Sequence, residues 1–245
     1  MTKNVRILIQ VCRYVLAVVF IFSGFVKGVD PLGSAYKFTD YFKAFNLEFL
    51  ESLSLFFSFV LCAAELLIGL LLLFGIRLRL AAWGAFLFMV VFTPLTFVLA
   101  VFNPVSDCGC FGDALKLSNW ETFIKNIFFL AAALILLIGR TSLACSIKKL
   151  YERIAFPLLT VVSILPSWYG YNHLPLINFR PYKVGVNITD AMRTPENAPV
   201  DEYKTTFYYE KNGEIKEFTE SNYPWQDSTW KFVDSKSIIT KKGYS

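Results

Sequence analysis

Five long apolar runs alternate with polar segments along the chain. They cover residues 7–26, 50–74, 80–102, 123–138 and 154–171, close to the roughly 20 apolar residues that carry a helix across a bilayer. Pro94 falls inside the third run and predicts a kink. Pro157 and Pro166 interrupt the fifth, which is short. Between the first two runs, Asp30-Pro31 has the form of an N-cap followed by proline at the first helical position. Residues 36–45 then mix aromatic and charged side chains, which predicts an amphipathic helix lying in the membrane interface. After residue 173 the pattern turns polar. There, residues 205–210 and 214–219 flank Lys211-Asn212-Gly213 as a β-hairpin, and residues 230–233 and 238–240 supply further strand-like runs.

The polar segments orient the runs. Lys3 and Arg6 precede the first; Arg77 and Arg79 join the second and third; Arg140, Lys148, Lys149 and Arg153 join the fourth and fifth. With five spans all three sets fall on one side, which the positive-inside rule makes cytoplasmic. The loop after the first run, the polar segment around residues 103–113 and the tail then face the periplasm. No small-residue cleavage site follows residues 8–26, so this run is expected to be retained as a span.

Composition agrees with this division. The chain is 55% hydrophobic and 17% aromatic, too apolar for a soluble domain of 245 residues. The net charge of +5 is modest and points to no nucleic-acid partner; lipid is the first expected contact. The expected fold is an all-α membrane protein. It comprises a four-helix transmembrane bundle over residues 1–140, a cytoplasmic loop and fifth transmembrane helix over 141–173, and a small β-containing periplasmic domain over 174–245.

The densest chemistry lies in Asn103-Pro-Val-Ser-Asp-Cys-Gly-Cys-Phe-Gly-Asp113, between the third and fourth runs. Pro104 cannot continue the preceding helix, Gly109 and Gly112 permit a tight path, and Ser118-Asn119-Trp120-Glu121 has the form of a capping box opening the next helix. Cys108 and Cys110 on such a loop read first as a redox pair exchanging disulfides with other thiols. Either they bond to each other across one residue, in a small strained ring, or each pairs elsewhere. A metal centre fits less well, because structural zinc wants four ligands and only two are local; a plain turn built from small residues is the third reading. Asp107 and Asp113 oppose a thiolate, while Lys116 or Lys27 would favour one.

Other candidates divide between packing and chemistry. Cys12 and Cys62 lie within spans and pack as small hydrophobes, and Cys145 falls on the cytoplasmic side. Glu65 is an intramembrane carboxylate and needs a partner. Arg13 lies at similar depth, which predicts an Arg13–Glu65 ion pair joining the first two spans; a proton relay is the rival. Lys27 either snorkels at the outer end of the first span or binds an anionic or quinone head group. His173 either joins an aromatic belt with Trp168, Tyr169 and Tyr171 or helps deprotonate a cysteine.

Three pieces, Arg13 through Phe20-Ile-Phe-Ser-Gly-Phe-Val-Lys27, Glu65-Leu-Leu-Ile-Gly-Leu-Leu-Leu-Leu-Phe-Gly75 and Asp107-Cys-Gly-Cys-Phe-Gly-Asp113, resemble the DoxX/MauE group of bacterial membrane proteins. The resemblance covers about the first 140 residues and implies a four-helix membrane domain. The Cys-Gly-Cys-Phe-Gly piece looks more like MauE, which is linked to disulfide formation in a periplasmic subunit, and the whole chain looks most like DoxX-family proteins of Bacteroidota. At fold level the arrangement is similar to vitamin K epoxide reductase, which pairs an outer dithiol with a quinone; the Cys-x-x-Cys of that family is missing here. The implied function is a thiol–disulfide relay of the inner membrane. It would act on a thioredoxin-like or secreted partner through catalytic Cys108 and Cys110, with support from Lys27, Asp107, Asp113 and His173 and with a quinone as candidate acceptor. The alternative is a non-enzymatic scaffold or small-molecule-binding subunit of a membrane complex.

Overall fold

The structure, a computed structural model, describes residues 2–105, 108–115, 117–142, 149–175, 177–180, 185–187, 189, 202–211, 213–219, 222–224, 227 and 229–241. Asp107, Lys116, Asn212 and Cys145 lie outside the described residues. The chain forms two compact units, Met1–Arg180 and Pro181–Ser245.

The first unit is helical: α1 (Lys3–Val29), α2 (Pro31–Ala44), α3 (Ser54–Phe74), α4 (Leu78–Phe102), α5 (Asn119–Gly139) and α6 (Lys149–Asn172). Five of these helices are long and apolar enough to cross a membrane, the second after a 3-10 turn at Glu48–Leu53. Their outward faces carry large apolar side chains such as Val18, Phe56, Val91 and Ile138, the surface that lipid requires. α6 runs through both Pro157 and Pro166. Proline is tolerated in such helices because neighbouring groups can take up the freed backbone carbonyls; between the two prolines, Thr160 and Ser163 turn their hydroxyls back onto the helix, donating to Phe156 O at 2.9 Å and to Thr160 O at 2.8 Å. α4 likewise continues past Pro94.

The ends follow local chemistry. Asp30 caps α2, its Oδ1 accepting from Gly33 N at 3.1 Å, with Pro31 at the first turn where its missing N–H costs nothing. Ser118 and Glu121 form the expected capping box, and so α5 starts at Asn119, a turn before the apolar run begins. α3 ends at Gly75, whose φ of 71° is the left-handed cap that glycine adopts without strain.

α1 and α3 pack closely because glycine lets their backbones meet. A Cβ on Gly24 would lie 2.5 Å from Leu66 N, and one on Gly69 would lie 2.6 Å from Ile21 N. This register corrects the expected Arg13–Glu65 pair. Arg13 stands level with the last turn of α3, where its Nε donates to Leu72 O at 2.6 Å and its Nη2 to Leu73 O at 3.0 Å. Those carbonyls end the helix and have no intrahelical donors, so a cation suits them. Glu65 lies about two turns further along α3, roughly 10 Å away by helix rise, and meets Lys27 instead. Equal depth from the two helix ends does not make Arg13 and Glu65 neighbours, because those ends are not level: α1 begins at Lys3 and runs about ten residues before it meets the last turn of α3.

The second unit holds an antiparallel sheet in the order β2-β1-β3, from β1 (Glu202–Lys211), β2 (Glu214–Thr219) and β3 (Lys231–Lys241). Lys211 pairs with Glu214 across the expected hairpin, whose Gly213 has φ 84°. Expected strands at 230–233 and 238–240 are one continuous β3. Aromatic side chains hold this small sheet: Tyr209 packs edge-on against Phe218 and Phe232, and Phe218 against Trp230.

Candidate functional site

The segment after α4 turns back over one end of the bundle, and its anchors are polar side chains of the helices. Asn103 closes α4 in a left-handed conformation (φ 47°). Asn119, at the start of α5, donates to Asn103 Oδ1 at 2.8 Å and to Val105 O at 2.9 Å, so one buried amide fixes both sides of the loop's entry. Tyr41 of α2 donates to Cys108 O at 2.6 Å and Ser23 of α1 to Cys110 O at 2.7 Å. Gly109 and Gly112 take φ of 64° and 52°, and each sits against a side chain: a Cβ would lie 3.2 Å from Lys37 Cγ or from Val26 Cγ1. Glycine takes these backbone angles without strain, and at both positions a larger residue would press on its neighbour.

These constraints bring the two cysteines together. Both thiols are free, with their sulfurs 2.7 Å apart. A disulfide bond measures roughly 2.05 Å, so bond formation asks for a shift well under an ångström. Cys108 is the more buried; Cys110 is partly exposed. The hydrogen bond from Cys110 brings the Cys108 thiol down to about 7, against burial and with help from Tyr41, Lys125 and Lys27. Cys110 moves the other way, well above its ordinary value, because it is the donor in that bond and is buried beside the same charge. The pair is therefore asymmetric: one sulfur is suited to be a thiolate and the other to stay a thiol.

Beneath the loop lies a cavity of about 170 Å³. Its deep wall is aromatic, with Phe88 stacked on Phe92 at 4.3 Å and Phe20 edge-on to Phe88 at 5.2 Å. Its charged groups are Lys27, Glu65, Asp30, Asp113, Lys37, Lys125 and Arg180, and both cysteines border it. Lys27 Nζ and Glu65 Oε1 form an ion pair at 2.5 Å, with both side chains buried. The second carboxylate oxygen, Glu65 Oε2, has no hydrogen-bond partner among the described residues.

Of the residues singled out from the sequence, Cys108, Cys110, Lys27, Glu65 and Asp113 meet at this cavity. Arg13 is at the other end of α3. His173 closes α6, its ring stacked on Tyr169 at 4.6 Å, and is not among the residues lining the cavity. Sequence reading missed Ser23, Tyr41 and Lys125. Ser23 precedes Lys27 by one turn, a polar stripe along an apolar helix. Lys125 stands inside the fourth apolar run, where a charge is itself a signal of function; its ammonium lies 4.1 Å from the centre of the Phe111 ring.

A family model described as methylamine utilisation protein MauE matches residues 5–139, more than half of the chain. The chain belongs to the MauE family. The matched region of this MauE-family membrane protein runs from the start of α1 to the end of α5 and contains the whole dithiol loop. A second model, a domain of unknown function (DUF8463), matches residues 203–242, the three-stranded sheet. No curated protein and no solved structure matches the chain at a significant level.

Proposed function

We propose that this MauE-family protein is a thiol–disulfide relay of the bacterial inner membrane. In this reading Cys108 and Cys110 exchange disulfides with a thioredoxin-like or secreted protein on the periplasmic side. The observation that carries the reading is the pair of free, electrostatically unequal thiols 2.7 Å apart on the rim of a membrane-domain cavity. A structural turn has no need of that asymmetry.

The inequality assigns roles. In the oxidised form a partner thiolate attacks Cys110 Sγ, on the more exposed of the two residues. The Cys108–Cys110 bond breaks, and its electron pair leaves on Cys108, the sulfur with the lower pKa and hence the better leaving group. Tyr41, Lys125 and Lys27 steady that thiolate. A mixed disulfide now joins Cys110 to the partner. The partner's second thiolate attacks its own sulfur in that bond, forms the partner's disulfide and releases Cys110, which takes up a proton. Two electrons have passed from the partner dithiol to the Cys108/Cys110 pair.

The dithiol must then be reoxidised by an acceptor that reaches it from the lipid side. A quinone would supply a two-electron, two-proton acceptor: the cavity walls are aromatic, Lys27 offers a buried donor to a quinone oxygen, and Glu65 Oε2 is an acceptor that only the hydroxyl of the reduced form can use. Lys27 and Glu65 would hold it.

The test is trapping. With the partner supplied as its disulfide, Cys110 of Cys108→Ser should attack it, displace one partner thiolate and stay in a mixed disulfide that no Cys108 can resolve, whereas Cys110→Ser should trap little, and both variants should insert into the membrane normally. Trapping only in Cys110→Ser would reverse the roles. If both thiols stay reduced in cells and the double serine variant retains full function, the relay is wrong, and a scaffold or small-molecule-binding subunit takes its place.

A further inference from the structure

Glu65 Oε2 poses a problem that the dithiol chemistry leaves unanswered. The side chain is 3% exposed, one oxygen is satisfied by Lys27, and the other has no donor among the described residues. A buried acceptor without a donor costs about 1–3 kcal/mol, and inside a membrane domain the charge makes the omission worse. The carboxylate borders a cavity of about 170 Å³, somewhat larger than the roughly 150 Å³ engineered cavity known to take benzene. That space is faced by Phe20, Phe88, Phe92 and Phe129, flat surfaces on which an aromatic ring stacks at little cost.

We propose that the cavity binds a small aromatic ring bearing a phenolic hydroxyl, which donates to Glu65 Oε2 and accepts from Lys27 Nζ. A hydroxyl does both at once. A carbonyl or ether oxygen can accept from Lys27 but has no hydrogen for Oε2, and it sets its own lone pairs against the carboxylate. The site therefore selects hydroxyl-bearing rings over their ethers, and the hydroxyl form of a quinone couple over the carbonyl form. Where the relay operates, this last preference makes a bound quinone a stronger oxidant, because tighter holding of the reduced form favours reduction. That clause alone rests on the relay; the binding preference does not.

The experiment uses the full chain in lipid nanodiscs with Cys108→Ser and Cys110→Ser, so that thiol chemistry cannot intervene. Two probes that differ by one methyl group and belong to no quinone–hydroquinone couple, 4-methoxyphenol and 1,4-dimethoxybenzene, are titrated by calorimetry. The phenol is expected to bind at least about tenfold more tightly, the ratio for one satisfied buried acceptor. In Glu65→Gln, where an amide replaces the carboxylate, the ratio should fall towards one. Because the ratio is taken within each protein, a loss of overall stability does not mimic it. In the reduced protein with native cysteines, 4-methoxyphenol should slow alkylation of Cys108 and Cys110 by N-ethylmaleimide, which locates the probe at the cavity. Equal affinities for the two probes, binding of neither, a ratio unchanged by Glu65→Gln, or no protection of the cysteines would each overturn the proposal. None of these outcomes bears on whether mixed disulfides form.

Discussion

At the scale of single residues, the behaviour of Cys108 follows from what its sulfur touches. Its thiol is held at about 7, chiefly by the hydrogen bond from Cys110. Alkylation of the reduced protein by iodoacetamide should therefore rise with pH to a midpoint near 7, because only the thiolate reacts. Below the midpoint the rate falls about tenfold per pH unit. Cys110→Ala removes the donor, so the midpoint should climb towards the ordinary cysteine range while Cys108 remains alkylatable. An unchanged midpoint would mean that Lys125 and Lys27, rather than the neighbouring thiol, set the charge. The acidic residues of the loop argued in sequence for protonated thiols. The structure supplies what was missing from that argument: the Lys125 ammonium from α5 and the Tyr41 hydroxyl from α2, neither of them near Cys108 in the chain.

At the scale of elements, α1 and α3 meet through glycine and through one buried charge pair. Gly24 and Gly69 set the register, and that register decides that Glu65 meets Lys27. Removing one partner strands a charge in a poorly solvated site, which costs about 3–5 kcal/mol, whereas replacing both with apolar residues of similar size is often neutral. Lys27→Met and Glu65→Leu should each lower the melting temperature in detergent, and the double variant should recover most of the loss. Additive losses would show that the two side chains act independently. How far sequence reading reached follows from the range of each signal. Apolar runs, caps and the hairpin turn are local, and they located all five long helices, the α2 cap, the capping box and the β1–β2 hairpin. The Arg13–Glu65 pairing depended on a helix register written in backbone contacts tens of residues apart, and depth counted from run edges could not recover it. The cavity was illegible for the same reason: its wall is drawn from α1, α2, α3, α4, α5, the dithiol loop and the segment after α6 together.

At the scale of the membrane unit, Arg77 and Arg140 lie at the end opposite the dithiol. Arg77 lies over the Phe156 ring at 4.2 Å while its backbone N–H donates to Glu152 at 3.2 Å, and Arg140 lies near the Trp83 ring. These contacts gather the α3–α4 turn, the end of α5 and the start of α6 into one basic end, which the start of α1 joins through Ile9 packed on Gly139. The dithiol loop packs at the far end of α1, on Ser23 and Val26. The positive-inside rule puts the basic end in the cytoplasm. In the orientation proposed above, with five spans, the dithiol loop and the chain after α6 would both face the periplasm, where a disulfide persists. A phosphatase domain fused after the last residue should be active in cells, and one fused after Gly139 should be silent. The opposite pattern would invert the protein and leave Cys108 and Cys110 in a reducing compartment, where this dithiol could not hold a disulfide long enough to pass it on.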